Sequence, residues 1–216
     1  MALQVLNFII MDNMNPIRKP VRFRFFNATL VIIAINVFVF LLNQMVPITR
    51  AYLALLPQAG VINNGFYWQF LTYMFVHGGF SHILFNMLGL FIFGTQLEKH
   101  MGSTEFLILY FFTGIGTGVV SFFLGINVVG ASGAIYGLLL AFATYFPTTR
   151  IFIMGILPLR APIAVLIFTA MSLVFQFTGM MGGVAHFAHL AGIVLAYLYF
   201  LVRLRINPIR VFLEKR

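Results

Sequence analysis

Apolar runs of roughly sixteen to twenty-two residues, separated by short polar or glycine-bearing stretches, recur along most of the chain. At a rise of about 1.5 Å per residue, a helix of that length matches a bilayer core of about 30 Å. The pattern therefore predicts membrane-spanning helices. Six spans are read: Phe25 to Val46, His82 to Leu97, Thr104 to Leu124, Ser132 to Phe146, Ala161 to Thr178, and Ala185 to Leu204. Between the first two, Pro47 to Ser81 is a stretch of about thirty-five residues, too long for a structureless connection. Its second half, GFYWQFLTYMFVHGGF, is aromatic and weakly polar, which predicts short helices lying in the membrane interface.

Composition sharpens this picture. The chain is 62% hydrophobic and 8% charged, whereas soluble domains carry about 25% charged residues. Its formal net charge of +9 does not call for a nucleic-acid partner, because the charges flank the apolar runs. Arg18, Lys19, Arg22 and Arg24 precede the first span, and Arg203, Arg205, Arg210, Lys215 and Arg216 follow the last. The positive-inside rule then places both termini in the cytoplasm and leaves Arg50 as the only basic residue on the outer side. Membrane lipids are the surroundings this predicts. The N-terminal piece LQVLNFII has no preceding basic residue and no small-residue cleavage pattern after it, so a removable signal is not expected. The absence of cysteine excludes disulfides, thiolate metal sites and a cysteine nucleophile. The expected organisation is a basic segment over 1–24, one six-helix domain over 25–204 and a basic tail over 205–216.

Spans two, four and six all begin at the outer face, and their polar residues cluster at those beginnings. Span two opens with His82 and Asn86, four apart on one helix face; span four with Gly130, Ala131, Ser132 and Gly133; span six with His186 and His189, three apart. A hydroxyl, an imidazole and extra hydrogen-bond donors are the inventory for acyl transfer. Span four is only about fifteen residues, or about 22 Å, so Ser132 is expected below the outer surface. Span two is similarly short, and together they predict a water-filled depression opening outward. The small-residue pairs Gly133/Gly137 and Gly192/Ala196 predict close approach of spans four and six, and the helix N-terminus at Ser132 suits a developing oxyanion.

The four acids, Asp12, Glu98, Glu105 and Glu214, all fall toward the cytoplasmic side. No intramembrane Asp pair, no HExxH zinc motif and no carboxylate for a Ser-His-Asp triad is available. Serine chemistry would then run as a Ser132/His189 dyad with slow turnover and without cofactor or metal. Tyr136, one turn below Ser132, is the ring within reach of the imidazole. Plainer readings stand beside this one. A GxSG is commonly a packing motif, a lone intramembrane histidine is commonly an interhelical partner, and His82 with Asn86 also suits a structural polar pair. His77, His82, His186 and His189 would alternatively make a divalent-metal set, as in a transporter. His77 also reads as a tie for the first loop and His186 as a water-facing neighbour of the base. His100 reads as a surface residue, and Gly114, Gly116 and Gly118 as a packing face.

From Phe25 to about Leu204 the chain resembles the rhomboid intramembrane serine proteases. The likeness is carried by GxSG at Gly130 to Gly133, HxxxN at His82 to Asn86, and AHxxG at Ala188 to Gly192. It implies a rhomboid-like bundle with a membrane-embedded first loop and cleavage of transmembrane protein substrates. Ser132 would be the nucleophile and His189 the base, with His82, Asn86 and the Ser132 N–H as the oxyanion hole. It further implies that Tyr136 packs against the base, that the segment around Trp68 is the embedded loop, and that span five with the loop near Met180 is a lateral gate. The family's loop signature has Trp followed by Arg, where this chain has Trp68 and Gln69. A rhomboid-like protein that binds clients without cutting them is the alternative, and such proteins usually lack the dyad. The compact form implies a bacterial cytoplasmic membrane.

Overall fold

The computed structural model describes residues 21–153, 156–178 and 186–214. Among these, five helices of 18 to 22 residues are long and apolar enough to cross a bilayer: α1 (Ala28–Met45), α4 (Phe80–Met101), α5 (Ser103–Phe123), α7 (Ala161–Thr178) and α8 (His186–Leu204). A sixth apolar helix, α6 (Ser132–Tyr145), has 14 residues, about 21 Å. The chain is thus a mostly helical integral membrane protein whose helices fall where the apolar runs predict. The expected start of span six at Ala185 and the gate loop near Met180 lie outside the described residues.

One expectation about the spans is corrected, and one connection is new. Span two is not short, because the helix continues past the apolar run to Met101 and includes a π-helical stretch at Leu90–Gly94. A depression at the serine end therefore rests on α6 alone. The connection between α6 and α7 is an antiparallel hairpin, β1 (Arg150–Ile153) with β2 (Leu157–Arg160), paired Arg150 to Arg160 and Phe152 to Pro158. Helical periodicity carries no signal for a four-residue strand, and this hairpin is the one departure from an all-helical fold among the described residues.

The first loop folds as short pieces: α2 (Ile48–Leu53), a π-helical turn over Pro57–Ile62, α3 (Gln69–Thr72) and a 3₁₀ turn at Tyr73–Phe75. Gln69, fully buried, staples them. Its Oε1 accepts from the Leu56 N–H at 3.1 Å, and its Nε2 donates to the Ala51 and Tyr52 carbonyls at 3.0 and 3.2 Å. Trp68 Nε1 donates to the Tyr52 carbonyl at 2.8 Å, and Thr72 Oγ1 to Leu53 at 2.8 Å. An amide thus supplies both a donor and an acceptor at the place where the family pattern has a guanidinium. Gly114 and Gly118 of α5 receive this loop, since Met74 and Tyr73 occupy the space their side chains would fill, while Gly116 meets Leu195 of α8.

In α6, Gly133 and Gly137 lie against Thr117 and Thr113 of α5, a second neighbour beside the α8 that their spacing suggested. Close approach to α8 is made by Gly192, where an added Cβ would fall on the Gly133 carbonyl. One glycine row thereby serves two neighbours: the missing side chains admit α5, and the exposed carbonyl admits α8.

At the opposite end, buried polar groups close the bundle. Asn27, with φ 56°, offers no side-chain cap to α1. Glu98 supplies it from α4: Oε1 accepts from the Ala28 N–H at 2.5 Å, Oε2 from the Thr29 N–H at 2.9 Å, and Ser103 Oγ donates to Oε1 at 2.5 Å. A carboxylate on free N–H groups at a helix start is favoured by both hydrogen bonding and the dipole. Glu105 is held by Tyr199 Oη and by both Arg203 Nε at 2.6 Å and Nη2 at 2.7 Å, tying α5 to α8. Replacing Glu98 by Ala leaves two buried N–H groups uncapped and is expected to cost about 2–3 kcal/mol. Thermal unfolding in detergent should show the loss, with Glu98→Gln intermediate; equal melting of both variants and wild type would remove the capping role.

Candidate active site

Ser132 is the first residue of α6, and the turn that presents it is held from two sides. The Gly130 N–H donates to the Tyr73 carbonyl of the first loop at 2.9 Å. Gly130 has φ 102°, which favours glycine, and a Cβ there would meet His82 Nε2 at 2.8 Å. One residue thus makes the turn and admits an imidazole against the backbone just before the serine.

His189 Nε2 lies 2.9 Å from Ser132 Oγ, across the α6–α8 contact. Its ring stacks on Tyr136 with centroids 4.2 Å apart and planes 7° from parallel. Tyr136 is backed by α7, through Phe168 at a centroid distance of 6.3 Å and Ser172 Oγ at 3.4 Å from the phenol oxygen. His189 Nδ1 is buried with no hydrogen-bond partner among the described residues, so no carboxylate orients the ring. Packing against Tyr136 limits its rotation instead. His186 is buried and edge-on to His189, with centroids 5.9 Å apart, and rests on Phe175. It is a packed ring, not the water-facing neighbour that its spacing suggested.

His82 and Asn86 stand on the other side of Gly130. The Gly78 N–H donates to His82 Nδ1 at 3.2 Å, so a neutral ring carries its proton on Nε2, the nitrogen that faces Gly130. Asn86, buried, uses one N–H on the His82 carbonyl at 2.8 Å, and its Nδ2 would lie 3.9 Å from a Cβ at Gly130. The structure therefore brings Ser132, His189 and Tyr136 together on one side of the turn and His82 with Asn86 on the other, while Gly130 and Gly133 supply the two close approaches. His77 does not join them: it packs edge-on against His82, centroids 5.1 Å apart, behind the site. No group of three His, Asp or Glu side chains suited to a metal ion is found among the described residues. His100 lies against Tyr145 and Phe146 at the far end. Sequence reasoning did not find Phe168 and Ser172, which carry no motif and act only through Tyr136.

A model of the rhomboid domain matches residues 64–206, well over half of the chain, and the match includes every residue of this constellation. The chain belongs to the rhomboid family. Among its rhomboid relatives, YdcA of Bacillus subtilis (strain 168) is 41% identical over 81 residues, 36% of this chain and 40% of that protein. RHOMBOID-like protein 4 of Arabidopsis thaliana is 32% identical over 133 residues, 61% of this chain and 32% of the relative. The rhomboid protease GluP of Bacillus subtilis (strain 168) is 41% identical over 80 residues, 37% of this chain and 16% of GluP. The matched part is thus less than half of each of these relatives' length.

His77 sets a pH dependence of stability. Burial, reinforced by His82, holds its imidazole down to about 4, from an ordinary value of 6.5. The unfolded chain therefore binds more protons than the folded one between those values, and stability falls as pH drops from about 6.5 to about 4. Melting temperatures measured across that window should decline in wild type and decline less in His77→Gln. Identical slopes would show that His77 is not the group responsible.

Proposed function

We propose that this rhomboid is an intramembrane serine protease that cuts peptide bonds in or near transmembrane segments of other membrane proteins with a Ser132/His189 dyad. The observation that carries the reading is the 2.9 Å contact of His189 Nε2 with Ser132 Oγ at the start of a short helix. His189 takes the hydroxyl proton as Oγ attacks the substrate carbonyl. The resulting oxyanion is met by the Ser132 N–H, the His82 Nε2–H and the free Asn86 N–H. Collapse of the intermediate breaks the C–N bond, His189 delivers the proton to the leaving amine, and water then hydrolyses the acyl-enzyme by the same route reversed.

Two features support slow turnover. No carboxylate stabilises the imidazolium that forms, and the substrate must first unwind, because a helix in lipid keeps its carbonyls paired. Substrates with Gly, Pro or polar residues near the cut, and small side chains at it, suit a site built from Gly and Ala. The charge distribution supports an orientation with both termini cytoplasmic and Ser132 opening to the outer side, and the compact form supports, by resemblance, a bacterial cytoplasmic membrane.

Purified protein in liposomes with a transmembrane reporter tests the reading. Ser132→Ala and His189→Ala should each lower cleavage about a thousandfold or more while melting like wild type. Tyr136→Phe should stay near wild type and Tyr136→Leu should lose about tenfold to a hundredfold, since the ring face positions the base. Cleavage that survives Ser132→Ala would defeat the proposal and return the client-binding reading.

A further inference from the structure

The charged side chains of the described residues gather at the end of the bundle that carries Glu98 and Arg203, with one exception. Arg50, on α2, is exposed at the serine end. The described acids are engaged elsewhere: Glu98 caps α1, Glu105 holds Arg203, and Glu214 pairs with Arg210 at 2.6 Å. Arg50 stands close to the reacting groups. A Cβ placed on Gly78 would lie 3.5 Å from His82 Nδ1 and 3.7 Å from Arg50 Nη2, so a single glycine separates the guanidinium from the imidazole whose other nitrogen faces Gly130.

Arg50 also lines a groove of about 470 Å³ with Ala54, Leu56, Asn127, Val128 and Val129. An antiparallel bridge, with the Leu55 N–H to the Val128 carbonyl at 3.1 Å and the reverse bond at 3.0 Å, joins the first loop to the segment that runs on through Gly130 to Ser132. The groove's lining reaches Val129, the residue before Gly130 in the turn that presents Ser132. A polypeptide entering across this rim passes a lone cation in mostly apolar surroundings, where a carboxylate is attracted more strongly than in bulk water. Acidic residues are also available there, because the topological bias of membrane proteins removes Lys and Arg from external flanks but leaves Asp and Glu.

We propose that Arg50 anchors an anion-recognition subsite that selects substrates bearing an acidic side chain a few residues from the cut bond. The inference rests on the protease reading above and adds to it a charge preference set by this residue. Its occupant is a side chain of the substrate, not a lipid phosphate, because only Gly78 separates the guanidinium from His82, whose other nitrogen faces Gly130.

The test is a reporter series in which single positions on either side of the cut carry Asp, Asn or Lys, assayed with wild type and Arg50→Glu in uncharged vesicles and in vesicles containing anionic lipid. In wild type, Asp at one or two positions should raise kcat/KM about fivefold over Asn, and Lys should lower it. Arg50→Glu should invert that order at the same positions, and binding of the uncleaved peptides to Ser132→Ala should follow the same ranking. An unchanged order in Arg50→Glu overturns the subsite, as does a uniform loss for all substrates that depends on anionic lipid, which would assign Arg50 to a lipid phosphate. Wild type cutting neutral reporters without any charge preference would leave the protease reading standing and remove the subsite alone. Wild type cutting none of the series would remove both.

Discussion

The contact of Gly192 with the Gly133 carbonyl is the constraint on which the rest of the molecule is built. A side chain at position 192 would hold α8 away from α6, and the serine and histidine that face each other across that contact would part. In lipid, the hydrophobic effect gives two apolar helices no reason to pack closely, so such proximity comes from small residues that let backbones meet. The 2.9 Å separation of His189 and Ser132 is therefore a property of glycine placement as much as of the reacting residues.

The same medium explains the buried polar groups at the far end. A helix start or a carboxylate without water needs a partner supplied by the protein. Glu98 and the α1 terminus satisfy each other, and Glu105 is met by Arg203 and Tyr199. These pairings close α1 onto α4 and α5, and α5 onto α8, fixing the helices whose other ends present the site. One half of the bundle holds its acids in pairs, and the other half keeps its reacting groups free of them.

Much of this was legible in the sequence because one physical rule dominates it. The apolar run lengths located the helices, and helical periodicity put His82 with Asn86 on one face and set Tyr136 one turn below Ser132. What escaped reading depends on contacts between elements. Run length understated α4, since Glu98 and Lys99 look like a boundary although the helix continues through them. The spacing of Gly133 and Gly137 announced the approach of α8 but not that the same glycines would also receive Thr117 and Thr113 of α5. Gln69 gave no sign that its amide would reach two carbonyls and an N–H around a folded loop, and Phe168 and Ser172 matter only through the ring they support.

The turn carrying Ser132 hangs from the first loop at two places, by the Leu55–Val128 bridge and by the bond from the Gly130 N–H to the Tyr73 carbonyl. That loop presents Tyr67 and Trp68 to its surroundings, with Trp68 stacked on Phe66 at a centroid distance of 4.7 Å. Aromatic rings of this kind settle at the headgroup level of a bilayer. The part of the protein that registers where the lipid surface lies is thus continuous, through backbone bonds, with the part that aims the hydroxyl. A shift of that loop would reach the serine through backbone hydrogen bonds alone, with no side chain between them.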